Sequence, residues 1–375
     1  MKRILVVGGG PAGLFFALMA QRSLPDAEVH VREQNPAGVT YGWGFGFTQS
    51  AIDALRPAAP DVIGRLEGNC PHDVMDMILN GEVVQVAGDP MHSNARWSLL
   101  EVLESAAVEA GVQVQHDITT EIDEAELDRW DLVIGADGVN SRTREHFAAA
   151  FEPSIVLTEN WLAWYGTAKF FNPSIILEDG ADGVVMAHAS QFSDELSNFT
   201  VEVGQKTFDA MGFADMTEAE SVAACQGIFE GYLDGNPLLA NHSAWFQAKF
   251  VSCAHWTHRN LVLIGDALHT VHPSIGSGTR MAMRDAVYLM EALEGAGWEV
   301  ADGLRAFEAR RKPIADAFQA AARRSISWYE GLSERTVDDP VKFALEYIMR
   351  TGRIRYPDFR RANQAVIENY ETQLG

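Results

Sequence analysis

Gly8, Gly10 and Gly13 fit the spacing G-x-G-x-x-G inside "RILVVGGGPAGLFFALMAQ", with Pro11 and Ala12 among the intervening residues. The chemistry of that spacing is diphosphate binding. The first glycine permits a tight turn, the second lets the backbone approach a pyrophosphate, and the third lets a helix pack closely on a strand. The free N–H groups and the positive end of the helix then face the phosphates. Glu33, followed by Gln34, lies 20 residues beyond Gly13, at the end of "AEVHVRE". A carboxylate there suits a ribose 2′-hydroxyl and would repel a 2′-phosphate. A lone glycine motif can be an ordinary strand–helix turn. The strand before it, the helix after it and the acid at this spacing point to a dinucleotide fold.

A second cradle stands near the other end of the chain, in "LVLIGDALHTVHPSIGSGTRMAMRDA". Here an apolar run ends in Gly265-Asp266. A small-residue loop with Pro273, Gly276, Gly278 and Thr279 follows, and then a helical pattern. A third junction, "WDLVIGADGVNSRTRE", is a buried strand ending near Asp137-Gly138, where doubly wound sheets hold ligands. Arg96 stands near the start of the helical stretch "ARWSLLEVLESAAVEAGV", either at the site or simply at the surface. One extended dinucleotide explains both cradles: FAD has an ADP end for the first and a ribityl-isoalloxazine end for the second.

These sites need an α/β framework. We expect a Rossmann-type FAD-binding domain from 1–70, 92–150 and 252–295. A substrate-binding antiparallel-sheet domain from 71–91 and 151–251 interleaves with it, and 296–375 form a helical C-terminal region. Asn80-Gly81 is a two-residue hairpin signal. After about Phe151, "WLAWYGTAKFF", "GVVMAHA" and "LSNFTVEV" read as antiparallel strands, and "EAESVAACQGIFEGYL" as a helix. The glycine-rich aromatic loop "TYGWGFGF", Thr40 to Phe47, is either a tight turn with Trp43 in the core or, by its resemblance to flavin hydroxylases, a device that lets a flavin swing.

With 375 residues, 47% of them hydrophobic, the chain can build a large core. A net charge of −23 argues against a nucleic-acid binder and means that an anionic substrate needs a local basic patch. Cys70, Cys225 and Cys253 form no CxxC, so a reducing cytoplasm is the expected setting. No apolar run approaches the roughly 20 residues of a membrane span. The pairs His255/His258 and His269/His272 have metal-like spacing, but His269 lies in the second cradle and no metal is expected. No G-x-S-x-G elbow supports a serine hydrolase. No lysine lies between Lys2 and Lys169, which disfavours a flavin halogenase. Without a second G-x-G-x-x-G, NADH or NADPH would visit as a transient co-substrate.

The chain resembles the single-component FAD-dependent aromatic hydroxylases of the p-hydroxybenzoate hydroxylase superfamily. GGGPAG with Glu33, "DLVIGADGVNSRTR" and "LVLIGDALHTVHPSIGSGTRMAMRDA" carry the likeness, with Leu268 in place of a frequent alanine. The resemblance implies non-covalent FAD, with Asp266 bonding the ribityl chain or pyrophosphate and Arg96 near the phosphates. It implies that the Asp137-Gly138 loop aids cofactor and pyridine-nucleotide binding, and that Pro273 walls the ring. The helix beginning around Gly278 would aim its positive end at the flavin. The implied reaction reduces the flavin with NAD(P)H, adds O2 to give a C4a-hydroperoxide, and transfers its distal oxygen to an aromatic ring.

"YGWGFGFTQSAIDALR", "WYGT", "MAHASQFSDELSNFTVEV" and "SIGSGTRMAMRDA" are similar to the salicylyl-CoA 5-hydroxylases and the anthraniloyl-CoA monooxygenase flavin domain, and also to violacein-pathway hydroxylases. This implies an aryl-CoA substrate such as salicylyl-CoA. The alternatives are an indolic or other aromatic metabolite, a free aromatic acid, or a flavin-binding redox module without turnover. The tail "DPVKFALEYIMRTGRIRYPDFRR" holds Arg350, Arg353, Arg355, Arg360 and Arg361, which would clamp CoA phosphates or form a solvated surface. Tyr165 and His188, on strands like those that face substrate in the family, would bond a ring hydroxyl or amine, or be satisfied core groups. A monomer or homodimer is expected.

Overall fold

The structure is a computed structural model that describes residues 2–39, 43–67, 70–273, 276, 278–335 and 337–368. Strand Arg3–Val7 is buried from Ile4 onward. Such an apolar, β-branched run suits a strand covered on both faces. It pairs in parallel with Glu28–Arg32 and with Leu132–Gly135. Gln113–Gln115 and Leu261–Leu263 extend the sheet in parallel, and Thr257–His258 closes one edge antiparallel. Leu261–Leu263 therefore lies beside Leu132–Gly135 despite its distance in sequence. The carboxyl ends leading to Gly8, Asp137 and Gly265 consequently share one edge of one sheet, the edge where such sheets bind ligands.

Helix Pro11–Ser23 begins on proline, whose missing N–H costs nothing there. Every residue from Ala12 to Gln21 is buried. This helix packs between Arg96–Ala110 and Gly278–Gly295, which explains why it is apolar all round. Arg96–Ala110 ends on Gly111, at φ 108°, the left-handed cap that glycine favours.

The second sheet has nine strands. Pro153–Thr167 runs along Phe246–Cys253 with its first part and between Leu238–Ala240 and Ser197–Val203 with its last. Gly183–Gln191, Ser174–Gly180, Pro71–Leu79 and Glu82–Ala95 follow in that order. All pairings are antiparallel except Pro71–Leu79 with Ser174–Gly180. Asn80 (φ 46°) and Gly81 (φ 87°) form the expected hairpin turn. The structure departs from expectation at Gly44–Thr48, which pairs with Glu82–Ala95 in this sheet although it falls within 1–70. A Cβ on Gly44 would stand 2.4 Å from Phe192 Cβ, so glycine is what admits the strand there. Thr40 to Gly42 of the aromatic loop lie outside the described residues.

One face of this sheet is covered by Glu218–Leu233, which starts on a reciprocal Thr217–Glu220 cap. The other face packs on Tyr329, Leu332, Phe343 and Tyr347 from the C-terminal helices. Those helices are Val300–Glu330, Pro340–Met349 and Tyr356–Ala362. No described helix is long and apolar enough to cross a membrane.

Candidate cofactor and substrate site

The first turn accepts only glycine at two places. A Cβ on Gly8 (φ 109°) would lie 2.3 Å from Ala136 O, and one on Gly13 would lie 2.2 Å from Gly8 O. At Gly10 a Cβ would meet no protein atom within 4 Å, so the space beside that glycine is open to a ligand. Glu33 Oε2 accepts from Gly9 N at 2.6 Å, and Oε1 accepts from Asn35 N and Nδ2 at 2.8 and 2.7 Å. Gln34 is exposed. Gly10, Glu33, Arg96, Trp97 and Glu104 line part of a groove of about 670 Å³. This is a cradle of suitable size and chemistry for an adenosine diphosphate group.

Asp137 is committed to its own turn. Its Oδ1 accepts from Ser141 Oγ at 2.5 Å, and its Oδ2 accepts from Thr143 N and Oγ1, each at 3.0 Å. Gly138 follows at φ 78°. Arg144, which the sequence reading missed, is buried and donates to Val139 O at 2.7 Å and Ala267 O at 2.8 Å. It ties the Asp137 loop to the Asp266 loop. The only sequence hint was a cation inside the third junction.

The second cradle is held from behind. Gly265 (φ 62°) donates to Asp285 Oδ2 at 3.0 Å. His269 Nε2 lies 2.9 Å from the same oxygen, and Arg311 Nε lies 2.8 Å from Oδ1. Burial opposes the Asp285 charge, but His269 and Arg311 hold its carboxyl below the usual range. Asp266 is exposed between the buried Gly265 and Ala267. Protein crowding on its other sides raises its carboxyl against the pull of Arg96 and His269. Gly276 (φ 59°) donates to Pro273 O at 2.9 Å, closing a turn ahead of the helix that starts at Gly278 and Thr279. Ser274, Ile275 and Ser277 lie outside the described residues.

Tyr165 and His188 are not brought together. Tyr165 pairs with Phe199 and Phe199 with Ala189, whereas His188 pairs with Thr200 and Thr200 with Trp164. Alternation therefore sends the two side chains to opposite faces. Tyr165 is fully buried under Glu218–Leu233, 3.0 Å from Ser221 Oγ. Tyr165 thus takes the second of its two readings, a satisfied core group, and the two side chains do not share a face. His188 lies instead on the side of His272 and Tyr329, with Nε2 3.1 Å from Glu202 Oε2.

The histidine pairs diverge as well. His258 meets Glu124, His269 meets Asp285 and His272 meets Glu202. Among the described residues no group of three or more His, Cys, Asp or Glu could hold a metal ion.

The basic tail is not one patch. Arg350 is enclosed: its guanidinium stacks 3.7 Å from the Tyr347 ring and its Nε donates to Ser325 Oγ at 2.9 Å. Arg355 and Arg361 both pair with Asp358. Arg353 instead lies 4.0 Å from the centre of the Phe318 ring, and Arg280 lies 4.9 Å from the same centre. Burial and the neighbouring Arg353 push the Arg280 guanidinium down to about 10.

Residues 1–322 match the family described as FAD binding domain. A salicyloyl-CoA 5-hydroxylase of a Streptomyces species is 37% identical over 361 residues, which cover 93% of this chain and 70% of that one. A 3-hydroxy-4-methyl-anthranilyl-[aryl-carrier protein] 5-monooxygenase of Streptosporangium sibiricum is 36% identical over 343 residues, 90% of this chain and 93% of that one. Among solved structures, a mutant of 2-methyl-3-hydroxypyridine-5-carboxylic acid oxygenase superposes with a TM-score of 0.71 at 19% identity over 96% of each chain. That last likeness shows the fold alone.

Proposed function

The chain belongs to the FAD-binding-domain family, and from that premise we propose that it hydroxylates the ring of an aryl thioester of coenzyme A such as salicyloyl-CoA. It is an FAD-dependent aromatic monooxygenase. When bound, FAD, reduced by NADH or NADPH, supplies the oxygen chemistry. The protein supplies placement. Gly8, Gly10 and Gly13 with the start of Pro11–Ser23 take the pyrophosphate, and Glu33 takes the adenosine ribose. Arg96 and Asp266 would meet the middle of the cofactor, and Pro273, Gly276 and Gly278 would border its ring. Asp137 and Gly138 act by shaping the turn that Arg144 fastens to the Asp266 loop. His188 would meet a substrate from the sheet face that also carries His272 and Tyr329.

The observation that carries the thioester reading is the arginine pair. Arg280 and Arg353 share the Phe318 ring in a protein of net charge −23. Guanidinium groups set on an aromatic ring are suited to binding a phosphate. Arg280 stands two residues beyond Gly278, so the pair adjoins the second cradle. Both relatives named above are described as acting on aryl groups carried on CoA or a carrier protein. Mass spectrometry of reactions with salicyloyl-CoA, free salicylate and an indole carboxylate tests this. Product that carries one added oxygen should form from the CoA ester. Product from the free acid or the indole alone would replace the reading with the free-acid or indolic alternative.

A further inference from the structure

Glu202 is a carboxylate sealed between the large sheet and the C-terminal helices, with 2% of its side chain exposed. Its Oε2 lies 3.1 Å from His188 Nε2, and its Oε1 accepts from Asn160 Nδ2 at 2.9 Å. His272 Nε2, on the residue before Pro273, lies 3.8 Å from Oε1. The Tyr329 ring stands 5.5 Å from His188 and 5.6 Å from His272, and Arg350 lies 5.5 Å from its centre. A cavity of about 10 Å³ adjoins Glu202 and is lined by Asn160, Gly204, Tyr329 and Ser333. That is room for a single water. Ser333 is exposed, so the cavity lies between the buried carboxylate and the surface.

We propose that Glu202, with His188 and His272, is a proton relay that carries a proton from the substrate's ring hydroxyl or amine to solvent through this cavity. The inference rests on the aromatic-hydroxylase reading but not on the thioester. In the step, the ring O–H or N–H bond breaks and its electron pair stays on the ring heteroatom. A histidine nitrogen takes the proton and passes one on from its other nitrogen to the carboxylate. The carboxyl group then releases it to cavity water. No electron changes hands, and the ring becomes the better nucleophile. Glu202 acts through the histidines and is a positioning and relay residue.

The electrostatics fit an ionised acceptor. Burial opposes the charge on Glu202, but His272, His188 and Asn160 hold it below the usual carboxylate range. Burial keeps His272 below the ordinary imidazole value against the pull of Glu202, with His188 and Arg350 adding to the depression. Arg350 and Glu330 also feel the charge of Glu202. A neutral imidazole beside an ionised carboxylate can accept a proton and pass one on.

The test uses the FAD-loaded protein with NADH or NADPH and whichever of salicyloyl-CoA and free salicylate stimulates oxidation. Glu202→Gln keeps the volume and the Asn160 contact but cannot take a proton. It should keep its FAD and KM, lose about 100-fold or more in kcat near neutrality, and recover as pH rises and solvent base takes over. Glu202→Asp should restore part of the rate. Gly204 has φ −71°, open to any residue, and Gly204→Leu should slow turnover by filling the cavity while Glu202 stays in place. Wild-type kcat and pH profile in Glu202→Gln would overturn the relay. So would a loss of rate accompanied by lost FAD and an unchanged pH profile, the mark of a merely structural residue. Product from free salicylate alone would refute the thioester and leave this comparison intact.

Discussion

Arg311 Nε lies 2.8 Å from Asp285 Oδ1, with both side chains buried, and the other oxygen of Asp285 accepts from Gly265 N at 3.0 Å. One carboxylate thus connects the long C-terminal helix to the turn that presents Asp266. Arg311→Met leaves that carboxylate charged and buried without its guanidinium partner. Removing one partner of a buried pair costs about 3–5 kcal/mol. Urea unfolding should show a loss of that order, and FAD should wash out more readily. A change no larger than that of a surface substitution would mean that the pair does not hold the cradle.

Gly10 and Gly13 should fail differently. Alanine at Gly13 would drive its Cβ to 2.2 Å from Gly8 O, a backbone atom that cannot step aside. Overpacking of this kind costs about 1–3 kcal/mol or more, so Gly13→Ala should destabilise the apoprotein. Gly10 has φ −79°, and no protein atom lies within 4 Å of an added Cβ. Gly10→Ala should therefore melt like the wild type without cofactor, yet bind FAD more weakly because the methyl group enters the phosphate path. Fluorescence titration with FAD alongside apoprotein melting separates the two. Equal FAD affinity for Gly10→Ala and wild type would put the pyrophosphate elsewhere.

The cradles were legible because glycine spacing and strand–turn–helix patterning are local signals. Gly8, Gly13 and Gly265 sit where the motifs place them because backbone clearance permits little else. The partners of those motifs were not legible. Arg144, Asp285 and Arg311 come from three helices, and nothing local marks Arg311 as the counter-ion of a residue 26 positions away. Which of its two readings Tyr165 takes was not legible for a related reason. Its face depends on register across two neighbouring strands, and a shift of one residue inverts it. The tail arginines likewise looked equivalent in sequence. Only tertiary packing distinguishes enclosed Arg350 from Arg353 on Phe318.

Stability should fall as the solution turns acidic, partly through His272. Its folded-state value is below the ordinary imidazole range, while the unfolded chain titrates near about 6.5. Below that pH the unfolded state takes up the proton first, so stability declines until the folded-state value is also passed. The slope contributed by one such group is at most about 1.4 kcal/mol per pH unit. Burial depresses His30 and His72 in the same sense, whereas Glu104 holds His116 above its ordinary value, the opposite effect. The readout is therefore a difference. His272→Asn should lower the drop in melting temperature between pH 7 and pH 5 relative to wild type. An equal drop in both proteins would show that His272 is not protonated preferentially on unfolding.

Arg280 and Arg353 should tell a CoA ester from a free acid. Arg353 is exposed, and an exposed contact with a phosphate is worth about 1 kcal/mol or less. Arg353→Ala should therefore raise KM for salicyloyl-CoA by up to about fivefold. Arg280 is half-buried, and a well-formed charged hydrogen bond contributes about 1.5–3 kcal/mol, so Arg280→Ala should raise KM by about 10-fold to 100-fold. The Arg353 effect should shrink in high salt, because exposed charges are screened over about 8–10 Å. Maximal turnover should change little if the contacts bind ground and transition states alike, and FAD content should stay constant. Arg355→Ala is the control: its guanidinium is paired with Asp358, 3.2 Å away, and KM should not move. Wild-type KM in both Arg280→Ala and Arg353→Ala at low salt would remove the phosphate from this pair, and the free-acid or indolic substrate would become the better reading.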